Sequence, residues 1–180
     1  MHSNTEDLIQ KFCLTTLEAT GALYQKNLYG HMMVLLYSSI DSMGLLDAPG
    51  TQTSATGESF KNWVKKYLLV YPGLEFNEID FWAARCAVLH TFTSESDLSQ
   101  KGKARQLQYY SGPKDSTMAK AFVAATKAID NGKHIPAHIE DTYLAFLEAL
   151  KVFPNDLLQN CSKNPAYAAR VNNVLQQYVL

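Results

Sequence analysis

An arginine and a histidine stand close together near the middle of the chain, at the two ends of the segment 85–90, RCAVLH. The guanidinium of Arg85 offers a planar fork of N–H donors, which matches the oxygens of a phosphate group. Histidine is the residue type whose ordinary titration lies near neutral pH, so His90 is a candidate to take or give a proton. Side chains of these two types can bind a phosphodiester and move protons at it without a metal ion.

The spacing of Arg85 and His90, with four residues between them, resembles the Arg-(four to six residues)-His signature of the HEPN superfamily of helical-bundle ribonucleases and their inactive relatives. The pair lies near the end of a predicted helix that carries apolar residues on two sides. The upstream segment 37–41, YSSID, resembles the long helix of that bundle, which often offers an acidic residue to the site. The resemblance extends from about Thr5 to Phe92 and is looser beyond.

What the resemblance implies is a metal-independent endoribonuclease whose catalytic residues are Arg85, His90 and Asp41. The 2′-hydroxyl of the RNA is the nucleophile in this chemistry, and a two-fold homodimer brings two arginines and two histidines together. The resemblance also implies a role as a bacterial toxin or a defence effector. On an ideal helix, five steps turn Arg85 and His90 about 140° apart. Their convergence therefore requires the long arginine side chain to curl back, or the helix to unwind near His90.

A second hypothesis comes from a different class of function. Active HEPN members often carry a polar residue directly after the arginine, whereas here that residue is Cys86. Together with a formal net charge of −1, this favours a catalytically inactive HEPN-like domain that binds a partner protein or RNA. The intact pair of Arg85 and His90 favours the nuclease.

A basic segment with aromatic neighbours follows the motif. Residues 101–105, KGKAR, precede two consecutive tyrosines at 109 and 110. Lysine and arginine contact phosphates, and aromatic rings stack on bases. We therefore take as RNA-binding candidates Lys101, Lys103, Arg105 and Tyr109. The alternative is a solvated loop without a ligand.

Two further residue pairs have a spacing that can carry chemistry. Cys86 and His90 are four residues apart, as a nucleophile and its base could be, but a mid-helix cysteine among apolar residues is more typical of a core. His134 and His138 have the spacing of a helical metal pair, although Pro136 between them indicates a helix that only begins there. The sequence thus predicts no metal and no cofactor.

The elements that must position these residues are mostly helices. Apolar residues recur every three or four positions, which predicts one all-α domain over residues 1–180, a bundle of about six helices with a short strand near 106–109. A helix over about 75–90 carries the motif, and its core-like stripe consists of Ile79, Trp82 or Ala83, Cys86 and His90. Another helix has Pro136 in its first turn and ends at Pro154.

Length and composition bound the class of protein. The chain has 180 residues, of which 47% are hydrophobic and 18% charged, enough apolar material for a core and too little charge for a disordered chain. The near-neutral balance argues against a protein that coats nucleic acid through its global charge. Cys13, Cys86 and Cys161 are too few and too far apart for a disulfide framework. With no targeting segment and no apolar run long enough to span a bilayer, we expect a cytoplasmic protein without membrane contact.

Overall fold

Six long helices form most of the structure, a computed structural model that describes residues 2–50 and 52–175. They are α1 (His2–Gln25), α2 (Tyr29–Asp47), α4 (Glu78–Thr91), α6 (Thr117–Ala128), α7 (Ile139–Lys163) and α8 (Pro165–Leu175). Two short helices, α3 (Gly57–Trp63) and α5 (Asp97–Gln100), complete the helical part, and a π-helical turn, Val64–Leu68, extends α3. The predicted helical bundle of about six helices is confirmed.

The central element of the bundle is α2, which packs against α1, α3, α4, α7 and α8. Its buried side chains include Met32, Leu36, Tyr37 and Ile40, so apolar groups leave the helix in several directions. Gly44 allows α3 to approach closely, because a Cβ atom at this position would lie 2.7 Å from the carbonyl oxygen of Ser59. Burial on several sides fixes the position of α2, and with it Asp41 in its last two turns.

The helix that carries Arg85 and His90 has a firmly fixed start. Asn77 is the N-cap of α4, and its side chain accepts hydrogen bonds from the backbone amides of Ile79 and Asp80, while the Asp80 carboxylate accepts one from the amide of Asn77. This reciprocal capping box satisfies amides that have no partner inside the helix. The predicted core-like stripe is wrong at both ends, because Ile79 and His90 are exposed.

The face of α4 that does enter the core is built mainly from small residues. Phe81, Ala83, Ala84 and Ala87 are buried. Alanines allow the neighbouring elements to approach the helix closely. Of the predicted stripe, Ala83 is buried, whereas Trp82 and Cys86 are half-buried.

A small parallel sheet interrupts the helices. Strand β1 (Gln106–Tyr110) confirms the predicted short strand, and it pairs with β2 (His134–His138) so that Leu107 lies opposite Ile135. Helix α6 connects the two strands, and Ser116 caps its start, as the sequence predicts. The prediction that Pro136 lies in the first turn of a helix is wrong. Proline is tolerated in β2 because each strand of a two-stranded sheet is an edge strand.

Helix α7 continues past the position at which the sequence predicts its end. Pro154 lies inside the helix and does not stop it. A proline there costs one backbone hydrogen bond and some steric strain. Phe153 and Leu157, on either side of it, are both fully buried. We attribute the continuation to the burial of these two side chains, which offsets the cost of the proline.

None of the helices in the described ranges is both long and apolar enough to cross a membrane.

Candidate active site

The structure brings Arg85 and Asp41 together across two helices. Nε and Nη2 of Arg85 on α4 both donate to Oδ2 of Asp41 on α2, at 2.9 and 2.5 Å. The two side chains are 19% and 17% exposed, so the pair is largely but not completely removed from water. The ring of Trp82 lies 4.9 Å from the guanidinium carbon and covers it on one side. Asp41 takes two of the five N–H donors of the guanidinium and fixes its orientation.

The electrostatics of this pair depend on its partial burial. Burial raises the pKa of Asp41 above its ordinary value, and the hydrogen bonds and charge of Arg85 act in the opposite direction. Burial also raises the pKa of the neighbouring Cys86 thiol, again opposed by Arg85. A raised pKa keeps the thiol protonated near neutral pH and therefore a poor nucleophile. The geometry gives no support to a nucleophilic pair of Cys86 and His90.

His90 lies in the last turn of α4 and is exposed. Across the described ranges, 2–50 and 52–175, no hydrogen bond or ion pair connects His90 with Arg85 or Asp41. The separation expected from helical geometry explains this arrangement, since Arg85 turns inward to α2 while His90 turns to solvent. Within one chain, the structure thus brings together two of the three predicted catalytic residues.

The basic segment between α5 and β1 divides into exposed and engaged residues. Lys103 is exposed, and Lys101 is exposed with its Nζ atom 3.4 Å from a carboxylate oxygen of Asp97. Arg105 instead binds Asp80, which is only 3% exposed: Nε and Nη2 donate to Oδ2 at 3.1 and 2.7 Å, and the backbone amide donates to Oδ1 at 2.7 Å. Arg105 therefore fastens the start of β1 to the first turn of α4.

Tyr109 also has a partner inside the protein. Its hydroxyl forms a hydrogen bond with the hydroxyl of Tyr37, a completely buried residue of α2. The side chain of Tyr109 lines a cavity between β1 and α4. The sequence did not indicate this pair of tyrosines, because the two residues are 72 positions apart. It did not indicate the role of Asp80 either, although the spacing of Asn77 and Asp80 is that of a capping box.

His134 and His138 do not have the geometry of a helical metal pair. They occupy the two ends of β2, and four residues of a strand span about 13 Å. His134 lies 3.1 Å from the amide nitrogen of Gln108. The Nε2 atom of His138 is 2.9 Å from the carbonyl oxygen of Gly112 and 3.0 Å from a carboxylate oxygen of Glu140. Each ring is held by its own neighbours.

No protein-family model, no curated protein and no solved structure matches this chain.

Proposed function

We propose that this protein is a metal-independent endoribonuclease of the HEPN type, with Arg85, His90 and Asp41 as its catalytic residues. The observation that carries the proposal is the pairing of Arg85 with Asp41 across α2 and α4. An arginine oriented in this way offers its remaining N–H donors in a fixed direction, and preorganised donors stabilise the charge that develops on a phosphate.

The exposure of His90 supports the same proposal. A proton-transfer group must reach either the attacking 2′-hydroxyl or the leaving 5′-oxygen of the RNA, and an exposed imidazole at the end of a helix can do so.

A second copy of the chain is part of the proposal. Each chain contributes Arg85 and His90 to the site, and these two side chains point apart, so an acid and a base at the same phosphate require another copy. Ile79 and Phe92, near the two ends of α4, are exposed apolar side chains that a partner could cover. A two-fold dimer, the commonest assembly of identical chains, would place the two copies of α4 beside each other.

The alternative is an inactive domain that binds a partner protein or RNA. The observation that favours it is the same ion pair, since Asp41 neutralises Arg85 and a half-buried pair can serve stability alone. The two hypotheses differ in whether the wild-type protein cleaves RNA.

Variants of the ion pair test the proposal. Arg85→Ala should lower the rate of RNA cleavage at least about 100-fold, the scale of losing one donor to a transition state. Arg85→Lys should restore only part of the rate, because an ammonium lacks the bidentate fork. Asp41→Asn should have a smaller effect, since Asp41 orients Arg85 and moves no proton. Cleavage is measured on labelled RNA in the presence of EDTA.

The control for a purely structural role is the double variant Arg85→Met with Asp41→Leu. It removes both charges and leaves no unpaired partner, so we expect it to unfold near the wild-type midpoint and yet to cleave as poorly as Arg85→Ala. Wild-type cleavage rates in this double variant would refute the catalytic assignment of the pair. Cleavage that stops in EDTA would refute the metal-independent mechanism.

The basic segment provides a separate prediction about RNA binding. Replacing Lys101 and Lys103 with alanine should weaken RNA binding and flatten its dependence on salt, because each lysine that contacts a phosphate releases about one counterion. Arg105→Ala should mainly lower the denaturation midpoint, since it leaves buried Asp80 with fewer partners. Fluorescence anisotropy at several salt concentrations measures the first effect, and urea unfolding the second. An unchanged salt slope in the lysine variant would mean that the loop does not contact RNA.

A further inference from the structure

A cavity of about 270 Å³ lies beside α4, bounded by α2, β1 and the start of α7. Its lining is predominantly apolar, and the side chains that supply it include Met33, Ala84, Val88, Leu107 and Ile139. A cavity of roughly 150 Å³ with such a lining accommodates a benzene molecule. The space beside α4 therefore suits a molecule of about two fused rings.

The hydroxyls of Tyr37 and Tyr109 at this cavity carry two protons, and the hydrogen bond between them uses only one. Tyr37 is completely buried, and its hydroxyl bonds to that of Tyr109. If Tyr109 donated, the Tyr37 proton would be buried with no acceptor among the residues that the structure describes, which is costly. Tyr37 therefore donates to Tyr109. The proton of Tyr109, the member of the pair that lines the cavity, is then available to a molecule inside it.

Phe92 forms part of the rim of this cavity and has an unusual conformation. It follows α4 with φ 54° and ψ 32°, in the left-handed region that a bulky residue rarely adopts. Its side chain is 60% exposed although its ring lies against Gly30, where a Cβ atom would come within 2.8 Å of the ring. Backbone strain of this kind often marks a binding site. The strained residue places an aromatic ring at the opening of an apolar cavity.

We propose that this cavity binds a small, neutral aromatic molecule of about two fused rings that accepts one hydrogen bond from the Tyr109 hydroxyl. The apolar walls exclude a charged ligand, because a charge without a partner is costly to remove from water. They also disfavour a nucleobase, whose several polar edge groups would meet mainly apolar side chains. The hydroxyls of Tyr29, Thr93 and Ser94, which also line the cavity, already form hydrogen bonds with Asn27, Glu95 and Gln106. The proposal does not depend on the ribonuclease hypothesis.

Quinoline and naphthalene are the probes that test the hydrogen bond, because they have the same shape and only quinoline has an acceptor nitrogen. We expect both to bind the wild-type protein with dissociation constants of about 0.1 mM, a typical value for ten heavy atoms in a fitting site. Tyr109→Phe should weaken quinoline binding about fivefold to tenfold and change naphthalene binding less than about twofold. Titration followed by protein NMR measures both constants, and the spectra also establish that the variant is folded.

Filling the cavity tests its location. Val88→Phe puts a ring into the cavity and should abolish the binding of both probes. Val152→Phe is the matched control, since Val152 is exposed on α7 outside the cavity, and it should bind both probes as the wild type does. If Val88→Phe does not unfold cooperatively, Ala84→Leu replaces it as a second filling variant on the same wall.

Results of three kinds would overturn the proposal. The first is that the wild-type protein binds neither quinoline at 1 mM, about ten times the expected dissociation constant, nor naphthalene in saturated solution. The second is that a folded filling variant still binds the probes, or that Tyr109→Phe weakens quinoline no more than naphthalene. The third is that adenosine binds in the cavity more tightly than quinoline, which would assign the cavity to a nucleobase.

Discussion

His90→Ala should lower the rate of RNA cleavage by about 1,000-fold, within the range that general acid–base groups contribute. His90 is exposed at the end of α4, so its removal should change the stability by no more than about 0.5 kcal/mol. The wild-type product should carry a 2′,3′-cyclic phosphate on the 5′ fragment, because the neighbouring hydroxyl is the nucleophile. Gel electrophoresis of end-labelled RNA gives the rate, and mass spectrometry identifies the terminus.

The matched control for this variant is His31→Ala, since His31 is another exposed histidine, located on α2 near Phe92. It should cleave RNA at the wild-type rate. Sedimentation should show the same dimer for the wild-type protein and both variants. A 5′-phosphate on the 3′ fragment would contradict the mechanism. A wild-type protein without cleavage, together with a His90→Ala variant that chiefly loses stability, would support the partner-binding domain instead.

Arg170→Ala should lower the free energy of unfolding by about 3 kcal/mol. Arg170 on α8 is 7% exposed. Its Nη1 atom donates to the carbonyl oxygens of Leu45 and Ala48 at 2.9 and 2.6 Å, and its Nη2 atom donates to that of Pro49 at 2.5 Å. These carbonyls lie at the C-terminal end of α2, where a helix has no internal donors and carries partial negative charge.

Urea unfolding measures this effect, and the slope of the free energy of unfolding against urea concentration should be the same for the variant and the wild type. Lys163→Ala, at an exposed position in the last turn of α7, serves as the control and should change the stability by less than about 0.5 kcal/mol. Arg170→Lys should recover only part of the loss, because an ammonium cannot reach all of these oxygens with a planar fork. A loss below about 1 kcal/mol in Arg170→Ala would mean that water replaces the guanidinium at the end of α2.

Much of the helical framework could be predicted because the signals are local. The i, i+4 spacing of apolar residues reports which side of a helix meets the core, and capping residues such as Ser116 act within one turn. The predictions at Pro136 and Pro154 are wrong for the complementary reason. Whether a proline starts, ends or interrupts an element depends on the burial of its neighbours, as at Phe153 and Leu157, and on a strand partner that is distant in the sequence.

By itself, the sequence determined that Arg85 and His90 share one helix and point apart, since five residues of a helix always turn through about the same angle. Only the tertiary structure decided which charges meet. It brings Asp41 into contact with Arg85, which is 44 positions away in the sequence, and Asp80 into contact with Arg105, which is 25 positions away. The sequence offers many carboxylates to each arginine. Packing selects one of them, because a carboxylate that the fold removes from water is stable only with a donor that the same fold brings to it.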